Sequence, residues 1–303
     1  MSQMPGVRGS VEKRRAKYAY LFIAPWVIGL LLFYAYPLFG SIYYSFTNYN
    51  IVSATKWVGL ANYRDLIHDH LFWVGIRNTL VYASFEVPLS VVIGVVLALL
   101  LNMPIKGRGI FRTVFFLPTL VPIVATSIVW EWLLNPQFGL VNSKLELLGI
   151  KGPGWLGDPA WSKPSLIIMS LWGIGNAMII YLAGLQDISK EYYEAADIDG
   201  ASAVRKAWHI TLPLLTPVIF FNMVMGVINA LQVFTLPYAL TYGTGKPADS
   251  LLFYSMYLYN NAFLYMKMGY ASAMAWIMFV IIITVTLWLF KSSNKWVYYQ
   301  GDD

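Results

Sequence analysis

The sequence predicts an all-α membrane protein with six transmembrane helices and both termini on the cytoplasmic side. Three observations carry that prediction. Of the 303 residues, 58% are hydrophobic and only 12% are charged, with a mean hydropathy of +0.58. Six apolar stretches are each long enough to cross a ~30 Å hydrocarbon core at about 1.5 Å per residue. Lysine and arginine are shared unevenly between the segments that join those stretches. This length would accommodate one or two soluble domains, but the composition argues against them. The absence of cysteine rules out disulfides and thiolate-bound metals. The net charge of +6 is scattered along the loops rather than gathered in a stripe, so no nucleic-acid partner is expected.

The first apolar stretch, 18–39, follows the basic run "VEKRRAK" in the order of a secretory signal. It is too long for a signal's apolar region and no clear small-x-small site follows, so a retained span is expected. The remaining stretches are 79–101, 113–134, 165–185, 214–236 and 268–290. Prolines 25, 88, 118, 122, 217 and 237 lie in or beside these spans, where they kink helices and free carbonyl groups that neighbours must satisfy. With the N-terminus inside, segments 1–17, 102–112, 186–213 and 291–303 hold 13 Lys and Arg in 69 residues. The other side holds 8 in 100. That bias sets the orientation. The outer loops, such as "YNIVSATKWVGLANYRDL" and "GPGWLGDPAW", carry the Gly, Pro, Trp and Tyr of ordered surface structure. The expected organisation is a cytoplasmic segment 1–17, a six-span domain 18–290 and a cytoplasmic tail 291–303.

Segment 186–213 differs from the rest. "QDISKEYYEAADIDGASAVRKAWHITLP" holds five acids and three bases, and an acid at the bilayer centre costs roughly 2.5–3.5 kcal/mol, so the segment must lie in water. Its residues nevertheless form helices readily. Ser189 can cap a first helix whose early acids suit a helix N-terminus. Gly200 can end that helix in the left-handed region, and "ASAVRKAWHI" can begin a second short one. Ala195 and Ala196 leave a smooth surface for close approach by another protein.

The pattern Glu194-Ala195-Ala196, Gly200, Ile210-x-Leu212-Pro213 resembles the EAA signature of the membrane subunits of binding-protein-dependent ABC importers. "APWVIGLLLFYAYPLFGSIYYSFTNYN", "GRGIFRTVFFLPTLVP", "WLLNPQFGLVN" and "ALQVFTLPYALT" are similar to the carbohydrate branch of that family, which takes up oligosaccharides, disaccharides and glycerol phosphates. The resemblance runs over nearly the whole chain. It lacks any counterpart to the extra N-terminal spans and large outer insert of the enterobacterial maltose permease.

This resemblance implies a type I importer permease fold in a bacterial or archaeal cytoplasmic membrane. It further implies that Glu194, Ala195, Ala196 and Gly200 dock on a cytoplasmic ATPase, with Ile210, Leu212 and Pro213 as the hinge into the fifth span. The implied partners are a second permease forming a heterodimer, two ATP-binding subunits that carry ATP and Mg, and an external sugar-binding protein. The chain itself is then a transport subunit, not an enzyme, and binds no cofactor.

Polar groups inside spans usually face a cavity or a neighbouring helix. On the fifth span Asn222, Asn229 and Gln232 share one stripe, and on the fourth Trp172, Gly173 and Asn176 share a face near the midplane. Amides with an aromatic plate suit sugar hydroxyls and ring faces. The competing role is hydrogen bonding between helices. Glu86 is the one acid well inside an apolar run, and is expected to pair or hydrogen-bond within the bundle; Glu131 is expected to be solvated. His68, His70 and His209 form no metal motif. "GTGKP" around Lys246 lacks the P-loop spacing. Gly269, Ala271, Ala273 and Ala275 make small-residue faces on the sixth span, expected to pack on a partner permease. Two further readings stay open: an ABC permease for a non-sugar solute, and an ion-coupled secondary transporter.

Overall fold

The computed structural model describes residues 5–298, with side chains from Lys17 onward. The first residues of the expected N-terminal segment and the last five of the expected tail lie outside the described residues. Four helices are long and apolar enough to cross a membrane: α1 (Lys17–Ser45), α3 (His70–Asn102), α10 (Ala203–Thr241) and α12 (Met268–Ser293). Two bent pairs, α4 (Arg108–Leu120) with α5 (Ile123–Leu133), and α7 (Pro159–Leu171) with α8 (Gly175–Asp187), bring the number to six if each is counted as one span. Shorter helices are α2 (Ala61–His68), α6 (Leu140–Leu147), α9 (Lys190–Ile198) and α11 (Tyr254–Tyr259). No strand occurs among the described residues; Thr47 and Trp57 form an isolated antiparallel bridge.

The third expected span, 113–134, is therefore not one straight helix. Its halves meet at 102°. The cause is local: Pro122 disfavours helical backbone at the residue before it, and Val121 takes ψ 127° and Pro122 ψ 135°. Two successive extended residues turn the chain. The fourth span bends by 49° where Trp172, Gly173 and Ile174 leave the helix.

Prolines act differently in α1 and α10. There the helix widens for one π-helical turn, at Leu31–Ala35 ahead of Pro37 and at Ala207–Thr211 ahead of Pro213. Proline has no N–H to return to the carbonyl four residues back. The wider turn passes the ladder on instead: the Tyr36 N–H donates to Leu31, and the Leu212 N–H to Ala207. The segment expected as a separate second helix, "ASAVRKAWHI", consequently runs without interruption into the fifth span.

The chain divides into two compact units. The first comprises residues up to Leu66 together with Asn261–Trp276. The loop after α1 is ordered, as its composition anticipates. The buried Asn62 amide donates to the carbonyls of Ser45 and Thr47, both at 2.8 Å, and Phe46 stacks on Trp57. The Gly269 N–H donates to the Tyr49 carbonyl at 2.9 Å, and a Cβ on Gly269 would collide with the Thr47 carbonyl oxygen. Gly269 is thus small because of a contact inside its own chain. With Ala271 and Ala273 also buried within the chain, most of the small-residue face expected to meet a partner is already covered; Ala275 remains exposed.

The second unit comprises Ile67–Asn260 and Ile277 onward. Its axis is α3, 33 residues or about 50 Å long, against which α7, α8, α10 and α11 pack. Tyr82, Val87, Leu166, Met169, Ala230 and Phe253 belong to one core cluster, and Val95, Ala98, Tyr181, Leu185 and Leu215 to another. Gly94 admits the Tyr181 ring, which a Cβ would approach to 2.8 Å. Asn78 ties α3 to the segment before α11, donating to the carbonyls of Asp249 at 2.7 Å and Leu252 at 2.9 Å.

Candidate functional site

Two places gather the residues singled out by the sequence: a cleft within the second unit, and the loop between α8 and α10.

The cleft has a volume of about 440 Å³ and is walled by α3, the α7–α8 bend and α10, within the usual range for small-molecule sites. Helix α3 contributes Tyr82, Glu86 and Ser90, spaced four residues apart and so stacked on one face. The bend contributes Ser170, Gly173 and Asn176, and α10 contributes Asn222 and Asn229. The rest of the wall is mostly apolar and includes Phe221 and Met225. The Tyr82 hydroxyl donates to Ser170 Oγ at 3.0 Å, holding α3 to the α7 half of the bend. Asn222 uses one amide N–H on the Val218 carbonyl. The Tyr181 hydroxyl, on the cleft wall, is buried and has no hydrogen-bond partner. The Tyr181 ring is packed against Gly94 of α3.

Of the residues expected to face a solute, Gly173, Asn176, Asn222 and Asn229 line this cleft and two do not. Trp172 lies at the bend and meets Trp130 edge to face, with ring centroids 6.2 Å apart. Gln232 sits exposed beyond the end of the regular helix. The expectation for Glu86 changes most. It neither pairs nor hydrogen-bonds with another described residue, and instead faces the cleft as its sole charged wall residue. Sequence spacing alone could have found it, since Tyr82, Glu86 and Ser90 are the polar residues recurring every fourth position in an apolar helix.

The loop is a stiff elbow. Ser189 Oγ accepts from the Glu191 N–H at the start of α9. At the other end Gly200 has φ +70°, the Ala201 N–H donates to the Ala196 carbonyl at 2.9 Å, and the Gly200 N–H to Asp197 at 3.1 Å. These two bonds make a Schellman cap, which needs a left-handed residue at the position of Gly200. Ser202 then caps α10 through the Arg205 N–H. Lys206 and Asp197 clamp the arms together, and Tyr193 meets Thr211 hydroxyl to hydroxyl at 3.0 Å. Glu194 and Ala195 are exposed and Ala196 is half-buried. Ile210 lies in the π-helical turn, and Leu212 and Pro213 open the regular part of α10. The elbow leaves apolar side chains uncovered: Ile198 is 88% exposed, Val204 68% and Trp208 66%.

Comparison with known proteins gives a consistent picture. Residues 90–298 match the family described as binding-protein-dependent transport system inner membrane component. The chain is 42% identical to the probable ABC transporter permease protein YesP of Bacillus subtilis, covering 94% of this chain and 93% of that one. It is 34% identical to the lactose transport system permease protein LacF of Rhizobium radiobacter, covering 95% and 98%. Among solved structures, a chain of a bacterial ABC transporter involved in the import of the acidic polysaccharide alginate superposes with a TM-score of 0.85. It is 25% identical and covers 95% of this chain and 99% of that one.

Proposed function

The chain belongs to the binding-protein-dependent transport system inner membrane components, multi-pass proteins of ABC importers, and from that premise we propose that it carries a saccharide across the cytoplasmic membrane. The observation that carries the sugar reading is the cleft wall. Asn176, Asn222 and Asn229 offer amides that both donate and accept, beside apolar surface from Phe221 and Met225. A saccharide presents the matching set, adjacent hydroxyls and aliphatic ring faces.

The α9–α10 elbow couples this cleft to ATP hydrolysis on a separate chain. Its exposed Ile198, Val204 and Trp208 form an apolar surface in a segment otherwise rich in charge, and such surfaces mark protein interfaces. Two ATP-binding subunits, which hold ATP and Mg, grip this elbow and its counterpart on a second permease. Because α10 runs on from the elbow to the cleft wall, displacement of the elbow moves Asn222 and Asn229. Transport requires that the partner favour one position of the elbow over the other, since only differential contacts shift an equilibrium. An external binding protein delivers the saccharide to the outward-open cleft. Glu194, Ala195, Ala196 and Gly200 form the docking surface, and the π-helical turn containing Ile210, followed by Leu212 and Pro213, forms the hinge.

The test is uptake of labelled disaccharides by the complete importer with its binding protein in proteoliposomes. Accumulation that requires internal ATP and persists when ion gradients are collapsed supports the proposal. Accumulation driven by a proton or sodium gradient without the ATP-binding subunits would overturn it.

A further inference from the structure

Glu86 is the unexplained group of the cleft. It projects from the apolar helix α3, between Tyr82 and Ser90 on the same face, into a wall that contains no Lys, Arg or His. Among the described residues it makes no ion pair. A carboxylate inside a membrane span is costly unless something in the pathway satisfies it. The wall also carries the amides of Asn176, Asn222 and Asn229, which are neutral and bring no positive charge to offset a second negative one.

Resting on the saccharide reading above, we propose that Glu86 is a specificity-determining residue which makes the cleft accept uncharged saccharides and reject uronates, sugar phosphates and sugar sulfonates. A carboxylate accepts hydrogen bonds from two adjacent hydroxyls, and charge-assisted bonds of this kind are stronger than those between neutral groups. An anionic sugar loses at least one of those donors and brings a like charge against Glu86, with no cation in this wall to offset it. Discrimination then works by repulsion as well as by attraction.

The experiment uses the assembled importer, both permeases with their ATP-binding subunits, in lipid nanodiscs without the binding protein, so that only the cleft selects. Equilibrium binding is measured for maltose, lactose and cellobiose, each against the same disaccharide oxidised to a uronate at one C6. The native complex is expected to favour the neutral member of a pair by about tenfold or more, as like-charge contact dictates. Glu86→Gln, equal in size, is expected to erase that preference, and Glu86→Asp to keep most of it. Equal or tighter uronate binding by the native complex overturns the inference, as does an unchanged preference in Glu86→Gln; both leave the saccharide reading standing. Failure of every disaccharide, neutral and acidic, to bind the native complex overturns the saccharide reading and this inference with it.

Discussion

Lys206 reaches back across the α9–α10 turn to Asp197, with Nζ 2.6 Å from Oδ1. The pair joins two helices separated by the left-handed Gly200, so it sets the angle of the elbow rather than anchoring it to the rest of the protein. Asp197 is 61% exposed, and exposed ion pairs contribute only about 0.2–1 kcal/mol. Asp197→Ala should therefore leave the thermal unfolding midpoint nearly unchanged while lowering the coupling of ATP hydrolysis to sugar uptake. The swap Asp197→Lys with Lys206→Asp should restore part of that coupling. Uptake per ATP hydrolysed is the quantity to measure, and no change in the single variant would count against a clamp that matters for coupling.

Gly200 has open space around its missing Cβ, so within this chain substitutions there act through backbone conformation. A left-handed residue with a side chain costs roughly 1–2 kcal/mol, less for Asn. Gly200→Val should abolish ATP-dependent uptake, whereas Gly200→Asn retains much of it, both variants inserting normally. Equal uptake by the two would show that the cap is dispensable.

Asn78 donates to two carbonyls, of Asp249 and Leu252, from a buried site. Asn78→Ala removes the donor to the Leu252 carbonyl and one of two donors to the Asp249 carbonyl, which keeps the Leu252 N–H, and a loss of about 1–3 kcal/mol is expected. Thermal unfolding of the detergent-solubilised protein measures it; a change within about 0.5 kcal/mol, typical of surface substitutions, would contradict the bond's role.

Asn176 and Asn229 face the cleft from different helices. Asn176→Ala with Asn229→Ala should raise the sugar concentration needed for half-maximal uptake several-fold while leaving assembly with the ATP-binding subunits intact, as judged by co-purification. Unaltered uptake in the double variant would reject this wall as the solute's path.

Gly94 allows the Tyr181 ring against α3. Gly94→Leu should destabilise the second unit by about 1–3 kcal/mol, the usual cost of overpacking, and distort the cleft that Tyr181 helps to line. Gly109, with nothing near its missing Cβ, provides the comparison: Gly109→Ala should show little change in the unfolding midpoint.

Much of this architecture is legible along the chain because it depends on near neighbours. The apolar runs that became α1, α3, α10 and α12 needed only their own length and composition. The Ser189 cap and the Gly200 stop belong to hydrogen bonds closed within a few residues. Prolines flagged trouble in the third span, yet Pro118 and Pro122 could not state an angle, since 102° depends on backbone choices at Val121 and Pro122 together. Trp172 does not line the cleft beside Gly173 and Asn176, because the helix breaks there and the chain turns. Gln232 fell outside the cleft for the same reason, as α10 loses its regular path there.

Hydrophobicity and local capping by themselves determined the class of protein, the approximate spans and the elbow. Only the tertiary structure decided which polar groups share a space. Glu86 lies 90 or more residues away in sequence from Asn176, Asn222 and Asn229, and joins them solely because α8 and α10 pack on the same face of α3. Likewise nothing near Gly269 announces the Thr47 carbonyl that fills its missing side chain. Contacts of that range depend on how helices pack side by side, which no periodicity within one helix encodes.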